Sequence, residues 1–155
     1  MSTILIIKLF YVIINAMEDN SGQNPAWLLI RYSIPAKLAF AKTAELFGLT
    51  YMQLLTLCLV ASCKEGPAMQ GVTATLGCDA SNVTGLVDKL VTQGFLERSE
   101  SPHDRRAKIV TLTSRGEQTR RAALHEFAQT NIFNDLTPEE LDTLTRILSK
   151  LQAGQ

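Results

Sequence analysis

The stretch Gly77-Cys78-Asp79-Ala80-Ser81-Asn82-Val83-Thr84-Gly85-Leu86-Val87-Asp88-Lys89-Leu90-Val91-Thr92-Gln93-Gly94 decides the fold. Val83, Leu86, Val87 and Leu90 recur at i, i+3, i+4 and i+7, the core-facing stripe of a helix. Ser81, Asn82, Gly85, Asp88, Lys89 and Thr92 fall on the other side, with Thr84 at its edge. The helix is predicted over 80–93 and stops at Gly94. Upstream, residues 68–76 read as a short helix ending at Gly77. Two helices joined by a tight turn, the second offering small polar residues on its free face, is the helix-turn-helix layout.

Downstream the period changes from helical to alternating. Phe95–Arg98 and Lys108–Leu112 read as two short strands. The polar segment between them holds Pro102, His103, Asp104 and the adjacent pair Arg105 and Arg106. A hairpin with a basic loop directly after such a helix is a wing.

Helices flank this unit on both sides. Asn24-Pro25 caps and opens a first helix that Gly48 ends. Pro35 inside it predicts a kink or restart, because proline removes a donor and crowds the preceding turn. A second helix over about 51–62 is apolar nearly all round, so it is expected at the centre of the core. After the hairpin, Ser114-x-x-Glu117 fits a capping box opening a helix to about 132. Thr137-Pro138-Glu139-Glu140 starts the last helix, with Leu141, Leu144, Leu148 and Leu151 as its stripe. The expected fold class is therefore mainly α with a small β-hairpin wing. The expected organisation is an N-terminal extension at 1–16, a dimerisation helix region at 17–48, a winged helix-turn-helix at 49–113 and C-terminal dimerisation helices at 114–155.

Composition fits that reading. The chain has 155 residues, of which 46% are hydrophobic and 19% charged, which excludes disorder and leaves ample core for one domain. Net charge is zero but unevenly spread: residues 81–121 carry eight positive and five negative charges, while 122–155 carry two and five. The basic part is thus the helix-and-wing region, and local patches steer polyanions. The apolar run at 4–14 is too short to span a membrane, which takes about 20 residues. No export signal is clear there, so Met17 is the expected start, with an ordered extra strand or helix and a membrane or export signal as the alternatives; a cytoplasmic protein with no membrane partner is expected.

Taken together, Leu49-Thr50-x-x-Gln53, the block Ser81 to Leu90, Gly94-Phe95-Leu96-Glu97-Arg98, Pro102-x-Asp104-Arg105-Arg106-Ala107 and Leu112-Thr113-x-x-Gly116 resemble the MarR family of dimeric winged-helix transcription regulators. The resemblance covers roughly 25–152. It implies a homodimer on double-stranded DNA, reading a pseudo-palindromic operator, with a repressor role ahead of an activator role. The helix 80–93 would enter the major groove with Ser81, Asn82 and Thr84 near phosphates and base edges. Gly85 would allow close approach, and Lys89 would reach a phosphate as a point charge. Ser81 also stands where an N-cap would. Arg105 or Arg106 would enter the minor groove, and Arg98 and Lys108 would add phosphate contacts at the wing base. In this family a small molecule often binds beside the dimerisation helices, and Trp27, Tyr32, Phe40, Phe47 and Tyr51 are the candidate lining for a small aromatic or apolar effector. Ordinary core packing is the alternative for each of them.

Other chemistries fare worse. His103 and His125 fall in no metal spacing, and no phosphate loop or nucleophile elbow is present, so neither cofactor, metal nor catalysis is expected. Cys58 and Cys63, five apart, do not share a helix face. A redox-sensing regulator acting through Cys78, and a winged helix serving only protein interaction, are the alternatives.

Overall fold

A computed structural model of the chain describes residues 24–63, 66–101 and 108–153. The expectations for 1–16 and Met17, and for His103, Asp104, Arg105 and Arg106, lie outside the described residues. The described fold is mainly helical with one two-stranded antiparallel hairpin.

Helix α1 spans Pro25–Leu46, and Asn24 caps it by accepting from the amides of Ala26 at 2.9 Å and Trp27 at 3.4 Å. The restart offered at Pro35 does not occur: α1 continues through it, with Pro35 exposed on its outer side. Helix α2, Tyr51–Ala61, opens on a reciprocal cap. The Gln53 amide donates to the Thr50 hydroxyl at 3.3 Å, and the Thr50 amide donates to Gln53 Oε1 at 2.8 Å. As its composition predicts, α2 runs through the core, with Leu54, Leu57 and Val60 buried.

Helix α3, Met69–Leu76, ends at Gly77, whose left-handed φ of 61° suits glycine, and α4 follows over Ala80–Thr92. Of the α4 stripe, Val83, Val87 and Leu90 are buried and Leu86 is half-buried. Strand β1, Leu96–Glu100, pairs antiparallel with β2, Lys108–Leu112, in the register Leu96↔Leu112 and Arg98↔Val110. Phe95, expected to open the first strand, is instead the buried link between α4 and β1. Residues before α3 add a short third pairing that was not expected: Ala68 bridges to Ile109, and the Val110 amide donates to the Pro67 carbonyl at 3.1 Å.

Helix α5, Ser114–Ala128, is capped by Thr113, one residue before the cap predicted at Ser114. The Thr113 hydroxyl accepts from the Gly116 amide at 3.0 Å and donates to the Gly94 carbonyl at 2.7 Å, a long-range tie that Ser114 does not make. Glu117 turns away to Arg120 and Arg121. A short 3-10 turn, Asn131–Phe133, leads to α6, Pro138–Ala153. Its start has the predicted reciprocal cap: the Thr137 amide donates to Glu140 at 2.8 Å, and the Glu140 amide to the Thr137 hydroxyl at 3.3 Å.

One core joins α2, α3, α4, the hairpin and α5 through Leu54, Val72, Val87, Leu96, Val110 and Ala123. By contrast, Leu29, Ile34, Leu38 and Leu46 of α1 and Leu141, Ile147, Leu148 and Leu151 of α6 are exposed.

Gly116 is where α5 presses on the hairpin. A Cβ there would stand 2.0 Å from the Phe95 carbonyl oxygen, a backbone atom that cannot swing aside. Gly116→Ala should therefore destabilise the fold by about 1–3 kcal/mol, lowering Tm by several degrees in a thermal melt. An unchanged Tm would contradict this packing.

Candidate nucleic-acid interface

The α4 stripe fixes which side chains remain outside. With Val83, Val87 and Leu90 turned inward, Ser81, Asn82, Thr84, Gly85, Asp88 and Lys89 are all exposed. Ser81 is not the N-cap, because α4 begins at Ala80 and the cap position is Asp79. The Asp79 side chain makes no capping hydrogen bond, so it does not cover the first-turn amides. The Thr84 hydroxyl donates to its own helix at the Ala80 carbonyl, 2.8 Å away, and can still accept. Among the described residues, beyond its neighbours and the backbone of its own helix, nothing lies within 4 Å of where a Cβ on Gly85 would stand. The helix interior thus carries a glycine that no internal packing requires.

The wing base is built from ion pairs. Arg98 Nη1 lies 2.7 Å from Asp88 Oδ1, joining β1 to α4. Lys108 Nζ lies 3.2 Å from Glu100 Oε1 across the hairpin. Both residues expected at phosphates therefore hold carboxylate partners within the chain.

Behind the wing, three interactions missed by sequence reasoning lock the frame. Gln53 Nε2 donates to Gln93 Oε1 at 3.1 Å, tying the start of α2 to the end of α4. Arg115 donates to the Gln93 carbonyl at 3.1 Å and stacks over the Phe95 ring, 4.7 Å from its centre. Glu117 accepts from Arg120 and Arg121, whose guanidinium hydrogen bonds hold its carboxyl down at about 2. The Thr50-x-x-Gln53 and Thr113-x-x-Gly116 spacings were visible, but their long-range partners were not.

The five candidate effector residues do not line one hollow. Trp27 and Tyr32 are exposed on α1. Phe40 packs edge-on against Tyr51 at 5.6 Å and Phe127 at 5.2 Å, and Phe47 packs against the core. An open hollow of about 400 Å³ lies instead between α1 and α5, lined by Pro35, Leu38, Ala39, Lys42, Thr43, Leu46, Glu126 and Thr130. Cys78 is half-buried, its thiol 3.4 Å from the Leu76 carbonyl, and burial pushes the Cys58 thiol up. Among the described residues no group of three or more His, Cys, Asp or Glu converges on a metal position, and no single helix is long and apolar enough to cross a membrane.

Residues 47–107 match the MarR family. Over 89 residues the chain is 33% identical to YkoM, an HTH-type transcriptional regulator of Bacillus subtilis (strain 168), covering 56% of this chain and 58% of that one. The chain spans about half to three fifths of the length of the curated relatives it matches. A MarR-family transcriptional regulator from Rhodococcus sp. RHA1 has a similar solved structure, with a TM-score of 0.73 and 27% identity, covering 86% of this chain and 95% of that one. CouR from Rhodococcus jostii RHA1, solved bound to p-coumaroyl-CoA, aligns with a TM-score of 0.69 and 29% identity over 88% of this chain and 92% of that one.

Two outcomes follow from this geometry. Gly85→Ala should raise stability by about 0.5–1 kcal/mol, since it removes backbone entropy from the unfolded chain and meets open space in the folded one; a lower Tm would contradict the open surface. The carboxyl of Glu117 sits lower in the folded chain, at about 2, than its ordinary 4.5. Its stabilising contribution is therefore complete above pH 4.5 and is lost as the pH falls towards 2. Glu117→Gln should remove that part of the acid sensitivity in an unfolding series over this range, and an unchanged acid limb would contradict the pairing.

Proposed function

We propose that the chain is a MarR-family protein, a homodimeric, sequence-specific DNA-binding transcription regulator acting mainly as a repressor; the family match over residues 47–107 and the similar regulators support this. One observation carries this: the outer face of α4, bearing Ser81, Asn82, Thr84, Gly85 and Lys89, is exposed and includes a glycine that no internal packing explains. Such a face fits a groove. Short hydroxyl and amide groups reach phosphates and base edges, glycine admits the backbone closely, and the uncovered first-turn amides suit a phosphate.

The wing adds to the grip. Arg105 and Arg106, at the tip of the basic loop in the sequence, are proposed for the minor groove, where a narrow groove concentrates negative potential. Lys108 is proposed to give up Glu100 for a phosphate. An exposed pair of this kind holds only weakly, so the exchange costs little.

The exposed apolar stripes of α1 and α6 support the dimer. A symmetric partner would cover both, and two copies of α4 would meet half-sites about one helical turn apart. A bound dimer occupying a promoter excludes other proteins, which favours repression. A small aromatic or apolar effector beside the dimerisation helices would release the DNA if it preferred a different spacing of the two α4 helices. The acyl-CoA thioester bound to CouR and the hollow between α1 and α5 support that part of the reading.

Selection of random duplex DNA on the full chain, at near-physiological salt, tests the proposal. A pseudo-palindrome should emerge, its affinity should fall steeply with salt, and Arg105→Ala should weaken it by about tenfold or more while leaving the dimer intact. A folded dimer that enriches no sequence would overturn the reading.

A further inference from the structure

Asp88 is the one acidic residue in α4. It follows Ser81 by seven positions and Gly85 by three, which sets it on the same helical stripe. On the proposed DNA-binding reading, on which this inference rests, that stripe faces a phosphate-lined groove, and a bare carboxylate there is repelled. The chain answers with Arg98. Side chains alternate along β1, so Arg98 points to the side of buried Leu96, towards α4, and its guanidinium meets Asp88 at 2.7 Å. The other wing-base pair, Lys108 with Glu100, links strand to strand and leaves α4 alone. At 2.7 Å, with side chains 37% and 52% exposed, the Arg98–Asp88 pair is shorter and better covered than Lys108–Glu100 at 3.2 Å with 58% and 59%, so it holds its cation more firmly.

We infer that Arg98 is a positioning residue and not a phosphate contact. It neutralises Asp88 on the groove-facing stripe. Asp88 in turn keeps the Arg98 guanidinium from any passing backbone phosphate. A released guanidinium would add affinity for every duplex alike, because phosphate contacts carry no sequence information. The pair therefore exchanges general affinity for discrimination between sequences.

The test is a double-mutant cycle on the full chain, with the selected operator and an unrelated duplex titrated across a salt series. Asp88→Asn should strengthen binding to the unrelated duplex by about threefold to tenfold and steepen the salt slope by about one, the signature of one extra phosphate contact. Arg98→Met, which leaves Asp88 bare on the groove face, should weaken operator binding by about tenfold, and adding Asp88→Asn should recover most of that loss. Arg98→Lys, which keeps the charge opposite Asp88, should retain most of the affinity. An equal loss from Arg98→Met with and without Asp88, together with a slope shallower by about one, would identify Arg98 as a phosphate contact and overturn the inference. So would unchanged binding of Asp88→Asn to the unrelated duplex. A parent chain that prefers no operator would instead overturn the regulatory reading, and this inference with it.

Discussion

Four elements meet at residues 93–95, and the arrangement of the molecule depends on that meeting. Gln93 receives Gln53 from α2 on its side chain and Arg115 from α5 on its carbonyl. Gly94 and Phe95 offer carbonyls to the Thr113 hydroxyl, and the Thr113 amide also donates to Phe95 at 3.1 Å. Gly116 leaves the space in which α5 can approach that carbonyl. The chain leaves α4 here and enters the hairpin, so the direction of the wing relative to α4 is set by backbone groups that have no freedom left. These hydrogen bonds, most of them part-buried, converge on three consecutive residues, which ties the junction to α2 and α5 at once and makes it rigid.

That rigidity separates the two jobs of α4. Its inner stripe is consumed by the core, and its outer stripe owes nothing to the fold. The flanking helices are in the opposite condition: α1, though Ala44 reaches the core, and α6 hold apolar side chains left exposed among the described residues. One region is complete in itself and presents polar groups outward, and the other is incomplete and presents apolar ones. The junction at 93–95 connects them through α5, which touches the wing base at one end and leads to α6 at the other.

Much of this was legible in the letters, for identifiable reasons. The α4 stripe, the glycine stops at 77 and 94 and the Thr137–Glu140 cap are local patterns, and local patterns survive folding. What was not legible shares one cause. Pro35 was expected to kink or restart α1 because its cost was judged from the helix alone, whereas the helix runs on through it with Pro35 exposed. Ser114 was expected to cap α5 because the spacing fits, whereas Thr113 makes the same local bond and a distant one besides. Arg98 and Lys108 were expected at phosphates, and their carboxylate partners Asp88 and Glu100 reach them only once strand and helix are placed. The aromatic residues proposed around one ligand are split between surface and core, since their positions along α1 and α2 do not reveal which faces turn inward.

The empty surface at Gly85 sets two demands against each other. Among the described residues nothing packs where its side chain would be, so folding alone favours a residue with a Cβ in the middle of this helix. Close approach of a partner to the helix backbone, as the proposed function requires, favours none. Gly85 is therefore the position at which stability and the proposed function ask for opposite residues.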